Sequence, residues 1–377
     1  MIIRKSYKFR LQPTKKQAKA LQQTLDECRW LYNYFLEQRK LSYEELDISL
    51  TKYQQLMMLP VIKSERESLN IVHSQVLQEV VARLDKAFQN FFRRCKTGEK
   101  PGFPRFRNYD RYDSFCYPQS GFTLENKELK LGKIGKIRVK QHREITGVIK
   151  TCTLRKESTG NWYVCLSCEC EAKLLEQNGK SVGIDLGIEH FAVLTDGKSV
   201  KNPKFFQKEE KVLAKAQRKL SKCAKGSQER KKQKKINQKI HARIRNSRTN
   251  FCHQESRKII NEYQYICVED LNIKKMMQGN HLAKSIADAS WNQFCQYLTY
   301  KAEEAGRKLG VVNPAYTTQT CYMCGNIEEK QLNERQHNFS SCGYNVSRDF
   351  NAAQNILAIG LDDLGVIPRS FRLLARE

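Results

Sequence analysis

Nowhere in the 377 residues is there an apolar run approaching the roughly 20 residues that cross a bilayer. A basic protein lying in a membrane as a spanning helix is therefore excluded as a reading. The opening segment, Met1 to Arg10, interleaves charge with apolar residues and lacks the apolar core of a signal peptide, so a soluble protein of the cytoplasm is expected. Acidic residues are also scarce: 40 Asp and Glu stand against 67 Lys and Arg, a formal net charge of +27. A field of that sign gathers polyanions, and nucleic acid is the leading partner. Cysteine is not scarce, at 14. In a large intracellular chain these are reduced thiols, with closely spaced ones considered as metal ligands and disulfides not expected.

The length suggests two or three domains. Ile2 to Leu11 alternates apolar and basic residues, the period of a half-buried strand, and Pro13-Thr14 stops it. From Lys15 to about Arg94 the apolar residues recur at three and four, as in Leu21, Leu25, Cys28, Leu31 and Phe35, which predicts a helical block. Lys100 to Arg107 then breaks into a loop. Its Phe103, Arg105 and Arg107 suit stacking on bases and pairing with phosphates, or its phenylalanines plug the core of a wrapped connector; both readings stand. Between Phe115 and Glu171 short strand-like runs make a β region that the first strand could join. Cys165, Cys168 and Cys170 fall within the last of these, where Cys165 and Cys168 face opposite sides, so ordinary thiols are favoured.

After Gln177-Asn178-Gly179-Lys180 the pattern becomes α/β. Ser181 to Leu186 and Phe191 to Leu194 read as strands, with Asp196-Gly197 as a turn. A basic helical stretch from about Pro203 to Glu262 reads as a hairpin bent near Gly226-Ser227. Its Arg230, Lys231, Lys232, Arg243, Arg245 and Arg248 are either a solvated face or, as the strong overall charge favours, contacts to phosphates.

Three acids sit where burial normally forbids them. Asp185 lies inside the apolar run Val182 to Gly187, Glu269 closes the run Tyr265 to Glu269, and Asp349 precedes an alanine-rich helix. Each has an ordinary explanation: a turn former, a salt-bridge partner and a helix N-cap. Together they suggest hydrolysis of a phosphodiester, because two divalent ions about 3.5 to 4 Å apart neutralise the attacking and leaving oxygens. Mg²⁺, with Mn²⁺ as a substitute, accepts such hard oxygen ligands.

The chain resembles the TnpB family, the RNA-guided nucleases encoded in small prokaryotic insertion sequences. The matching stretches run along its whole length: Tyr7 to Thr14, Gly102 to Phe106, Val182 to Phe191, Val268 to Asn272, Ala287 to Trp291, and Arg348 to Ala353. The resemblance implies a multidomain α/β plus β-barrel fold in which Asp185, Glu269 and Asp349 are the acids of an RNase H-like (RuvC) active site. It implies a wedge-like β-barrel over 1–14 and 100–178, a helical recognition insert over 15–99, and a nuclease domain over 179–377. That last domain would include the basic hairpin at 203–262 and a zinc-knuckle-like insert at 315–347. A bound guide RNA would select the target by base pairing, beside a short motif in double-stranded DNA read by the protein. When bound to DNA the protein would sit on the nucleoid.

Cys321 and Cys324 have the two-residue spacing of half a zinc site. The family closes it with a second Cys-x-x-Cys, but here that segment reads Phe339-Ser340-Ser341-Cys342. Either Cys321, Cys324 and Cys342 hold zinc with His337 as a substitute ligand, or the knuckle folds without metal around Phe339. The leading function is a transposon-borne, RNA-guided DNA endonuclease. The alternatives are a catalytically silent guided repressor and a protein acting directly in transposition; the latter is disfavoured because the chain has no His-x-His pair.

Overall fold

The computed structural model describes residues 1–278, 282–329, 331 and 334–366. The chain divides into two units, Met1–Glu171 and Ala172–Glu377.

In the first unit, β1 (Ile2–Gln12) turns Tyr7, Phe9 and Leu11 inward and leaves the intervening basic residues outside. Thr14 then opens α1 (Lys15–Leu46): its hydroxyl accepts from the Gln17 amide, and its own amide donates to the Gln17 side chain. The same device, Thr51 with Gln54, opens α2 (Lys52–Glu65), and α3 (Ser74–Lys96) completes the helical block. Arg39 of α1 is buried where the three helices meet, donating to Gln55 of α2 at 2.9 Å and to Asp85 of α3 at 3.0 Å.

Six further strands follow: β2 (Ser114–Tyr117), β3 (Phe122–Glu125), β4 (Glu128–Leu131), β5 (Gly135–Lys140), β6 (Val148–Lys156) and β7 (Trp162–Glu171). With β1 they form one antiparallel sheet in the order β2-β6-β7-β1-β5-β4-β3. The two edge strands, β2 and β3, are consecutive in the chain and joined by residues 118–121. Laid flat, six strand spacings would hold them roughly 29 Å apart. Five Cα steps reach at most about 19 Å, so the sheet must curl until its edges approach. The Tyr117 hydroxyl of β2 donates to Gly132 O, just past the end of β4, across that near-closure, while the Gly132 amide donates to Gly121 O and extends the β3–β4 ladder. The result is a nearly closed barrel that β1 joins at its centre. Cys168 faces its core and Cys165 the other side of β7, as alternation requires.

The loop after α3 packs and remains accessible at once. Phe103 meets Phe88 and Phe91 edge-on, Pro104 is buried, and Asn33 clamps both backbone groups of Arg107. Phe103, Arg105 and Arg107 are nonetheless exposed.

The second unit is built on β8 (Ser181–Asp185), β9 (His190–Leu194), β10 (Ser199–Lys201), then α4 (Phe205–Lys222), α5 (Gln228–Glu262) and β11 (Tyr265–Glu269). After these come α6 (Ile273–Met276), α7 (Ala283–Ala289), α8 (Trp291–Ala305), β12 (Lys308–Val312), β13 (Gln336–Asn338), β14 (Asn345–Ser347) and α9 (Arg348–Asp363). The sheet order is β10-β9-β8-β11-β12, with β8, β11 and β12 parallel. Val182, Ile184, Ile266 and Val268 pack on one face with Ile259, Ile260, Phe294 and Leu298 of α5 and α8. Cys267 and Val312 pack on the other with Ile356 and Leu361 of α9.

Among the described residues no helix is long and apolar enough to cross a membrane. The buried Arg39 yields a test of the first unit: Asp85→Ala leaves its guanidinium without a counter-ion and lowers stability by about 3 kcal/mol. A urea midpoint equal to that of the unaltered chain would contradict this account.

Candidate active site

Strand alternation and register bring the first two acids together. Gly183 and Cys267 both face α9, so Asp185 and Glu269, each two residues further on, face the same way. The parallel register pairs Ile184 with Val268, which leaves Asp185 and Glu269 level at the carboxyl ends of neighbouring strands. Ligands of open α/β sheets bind at such ends.

Two glycines seat α9 over them. A Cβ on Gly183 would stand 2.1 Å from the Ala353 carbonyl oxygen, and one on Gly360 would strike Cys267. Backbone therefore lies directly on the sheet at both points. The first turn of α9, carrying Asp349, thus projects toward Asp185. Ser347 holds the N-cap position, so Asp349 is the second residue of the helix and not its cap.

The electrostatics of the three carboxylates differ. Asp185 is 8% exposed, and burial followed by the charges of Glu269 and then Asp349 pushes its carboxyl well above the usual carboxylate range. The Arg348 guanidinium opposes this only in part. Among the described residues no hydrogen bond or ion pair engages Asp185. Burial also raises Glu269, against a hydrogen bond donated by the Thr317 hydroxyl. Asp349 has Arg348 Nε at 3.3 Å and Arg335 at 3.9 Å; Arg335 also reaches Glu189 at 3.1 Å. A buried carboxylate without a partner, facing two like charges, is a donor set that fits a divalent cation.

Among the described residues, one group of potential ligand atoms lies entirely within 4.8 Å of one another: Cys321, Cys324 and Cys342. Sulfur atoms of Cys321 and Cys342 are 3.5 Å apart. Hydrogen bonds from the Ser341 hydroxyl and the Asn326 amide draw the Cys324 thiol down to about 7, and burial pushes Cys321 up to about 11. His337 stands outside this group, buried on β13 with its ring edge-on to Phe339. Phe339 is fully buried with Cys321 and Val346, so it fills space where a third cysteine of the repeated pattern would point. Three thiolates fit zinc, with the fourth tetrahedral position left to another ligand.

The basic residues of the hairpin divide by surroundings. Arg230 donates to the Leu220 and Cys223 carbonyls and closes the end of α4. Arg243 pairs with Glu209 across the hairpin at 3.1 Å. Arg248 pairs at 2.7 Å with Asp288, which also accepts from the Phe206 amide at the start of α4. Arg245 is exposed. Lys231 and Lys232 are exposed without an ion-pair partner among the described residues. The sequence reading missed Thr317, Asn351 and Asn355, all buried at the site's edge. Two asparagines four apart in an alanine-rich helix are the signal that could have found the last two.

Comparison with known proteins bears on the whole chain. A family model described as "Probable transposase" (OrfB_IS605) matches residues 164–280, which hold Asp185 and Glu269. One described as "Cas12f1-like, TNB domain" matches 291–356, which hold the three cysteines and Asp349. A third, "Helix-turn-helix domain", matches 1–47, a segment that here is one strand and one long helix. The chain is 32% identical over 374 residues to a "Putative RNA-guided DNA endonuclease" of Streptomyces pristinaespiralis, covering 95% of this chain and 90% of that protein. It is 31% identical over 376 residues to the "Putative RNA-guided DNA endonuclease InsQ" of Escherichia coli K12, covering 94% and 92%. The fold is similar to that in a "Cryo-EM structure of the Cas12f1-sgRNA-target DNA complex", with TM-score 0.59 at 13% identity over 91% of this chain and 83% of that one. With more than 30% identity across at least 90% of each full-length relative, the chain belongs to the TnpB family.

Proposed function

We propose that this protein is an RNA-guided DNA endonuclease of a transposable element, hydrolysing target DNA at Asp185, Glu269 and Asp349. The observation that carries the proposal is the buried, partnerless Asp185 facing two further carboxylates at the carboxyl ends of parallel strands. Divalent cations, Mg²⁺ or Mn²⁺, would supply charge neutralisation at the attacking and leaving oxygens of a phosphodiester when bound. Asp185, which faces the charges of both Glu269 and Asp349, would hold the ions together with those two carboxylates.

On this reading the second unit is the RuvC-like nuclease, the helices of the first unit are a recognition insert, and its barrel is the wedge that adjoins guide and target. The name and description of the relatives support RNA and DNA as partners. Phe103, Arg105, Arg107, Lys231 and Lys232 are the residues whose exposure suits contact with nucleic acid. Zinc is assigned to Cys321, Cys324 and Cys342, with the fourth position left to another ligand.

Replacing Asp185 by Asn lowers target cleavage by on the order of 10³-fold, since several kcal/mol of charge stabilisation disappear. Binding of guide and target persists. The same variant raises the melting temperature of the metal-free protein, because a buried charge among like charges is removed. Cutting at an undiminished rate would refute the assignment, and binding without cutting by the unaltered chain would mark it instead as a guided DNA-binding protein. Changing Lys231 and Lys232 together to Gln reduces the slope of log affinity against log salt by about 2; an unchanged slope removes them from the interface. For zinc, metal analysis of the purified protein finds about one equivalent, lost in Cys342→Ser. Metal content that is equal in the two proteins rules out the thiolate site.

A further inference from the structure

Thr317 lies just after β12, where the chain enters the cysteine-bearing segment, and is 2% exposed. Its hydroxyl donates to Oε1 of Glu269, with the Pro314 carbonyl oxygen as a second acceptor at 3.1 Å. A threonine hydroxyl has one proton, so it serves one acceptor at a time, and an ionised carboxylate is the stronger claimant. That bond favours the charged form of Glu269, fixes one of its oxygens and leaves the other for a cation.

The backbone that carries Thr317 is held in turn by α9. Asn355 Nδ2 donates to the carbonyls of Thr317 at 2.9 Å and Thr320 at 2.7 Å. Asn351 Nδ2 donates to Thr320 O at 2.8 Å, and Asn351 Oδ1 accepts from the Tyr322 amide at 3.0 Å. Asn351 is wholly buried and Asn355 nearly so, one helical turn apart and directed at the 317–322 turn, while Ala353 and Gly360 lie on the side of α9 that meets the sheet. Buried amides in apolar surroundings destabilise a helix unless satisfied, and here the turn at 317–322 satisfies both. The helix that presents Asp349 thereby also sets the position of Glu269.

We infer that Thr317 is a positioning residue for Glu269, held in register by an asparagine ladder on α9, and that it tunes the site's grip on divalent cations. This rests on the nuclease reading above. The ladder explains why polar residues interrupt the helix, and why a hydroxyl is buried against a carboxylate that needs orienting.

The test compares Thr317→Val, which removes the hydroxyl at nearly constant shape, with Thr317→Ser, which keeps it. Mn²⁺ binding to the full chain without nucleic acid, followed by electron paramagnetic resonance, weakens by on the order of 10- to 100-fold in the valine variant and stays near the original in the serine variant. The metal concentration for half-maximal cleavage of guided target moves in parallel. Asn355→Leu produces the same direction of change, with faster hydrogen exchange over 317–322. Should the valine variant fail to fold, Thr317→Ala against Thr317→Ser makes the same comparison. Unchanged Mn²⁺ affinity in folded Thr317→Val, or an equal loss in the serine variant, overturns the inference. Asp185→Asn separates the two levels: if it retains Mn²⁺ binding and cleavage, the nuclease reading itself fails. If it loses both while Thr317→Val behaves as the original, only the positioning role falls.

Discussion

Mutual repulsion among three carboxylates is the constraint around which the second unit is arranged. A charge buried without a partner is strongly unfavourable, and two like neighbours make it worse. The fold holds the acids together regardless, through elements that have few alternatives. Two of them are fixed by the register of parallel strands, and the third by a helix whose backbone touches the sheet at Gly183 and Gly360. Such a site is preorganised: its geometry is determined by packing before any cation or substrate arrives. On the proposed reading, a cation entering the site recovers the stability lost to repulsion.

Helix α9 links otherwise separate parts of that arrangement. It presents Asp349, covers the sheet face that carries Asp185 and Glu269, and through Asn351 and Asn355 grips the start of the cysteine segment. The cysteine segment returns through β13 and β14 directly into the helix's first turn, where the Arg348 amide donates to the Arg335 carbonyl. Order in the knuckle and order at the acids are thus coupled through one element, whatever ligand completes the thiolate set.

Much of this was legible in local pattern. Alternation marked β1, three-four recurrence marked the helical block, and the turn residues at Gly226-Ser227 marked the hairpin, because each is a short-range property of the chain. Asp185 and Glu269 stood out for the complementary reason that they interrupt or close apolar runs, and Asp349 because it stands ahead of an alanine-rich helix. Partner choice is long-range and was not legible. Nothing near Arg248 announces Asp288, forty residues on, and nothing near Thr317 announces Glu269. His337 illustrates the same limit, since its spacing from Cys342 suggests a ligand while the hairpin of β13 and β14 turns it to Phe339. The near-closure of the barrel followed from chain geometry only once the strand order was known.

The central place of β1 bears on how the protein is made. Its neighbours β7 and β5 begin about 120 to 150 residues later, so the Tyr7, Phe9 and Leu11 face emerges long before any strand can pair with it. At about 5 to 20 residues per second, the wait for β7 lasts on the order of ten to thirty seconds of synthesis. Until β2 emerges about 100 residues later, α1 to α3 are the long elements of the first unit available to shelter those side chains. The helical insert therefore doubles as an early lodging for the first strand, and slowing translation after α3 would lengthen the period in which a nascent chain is vulnerable to aggregation.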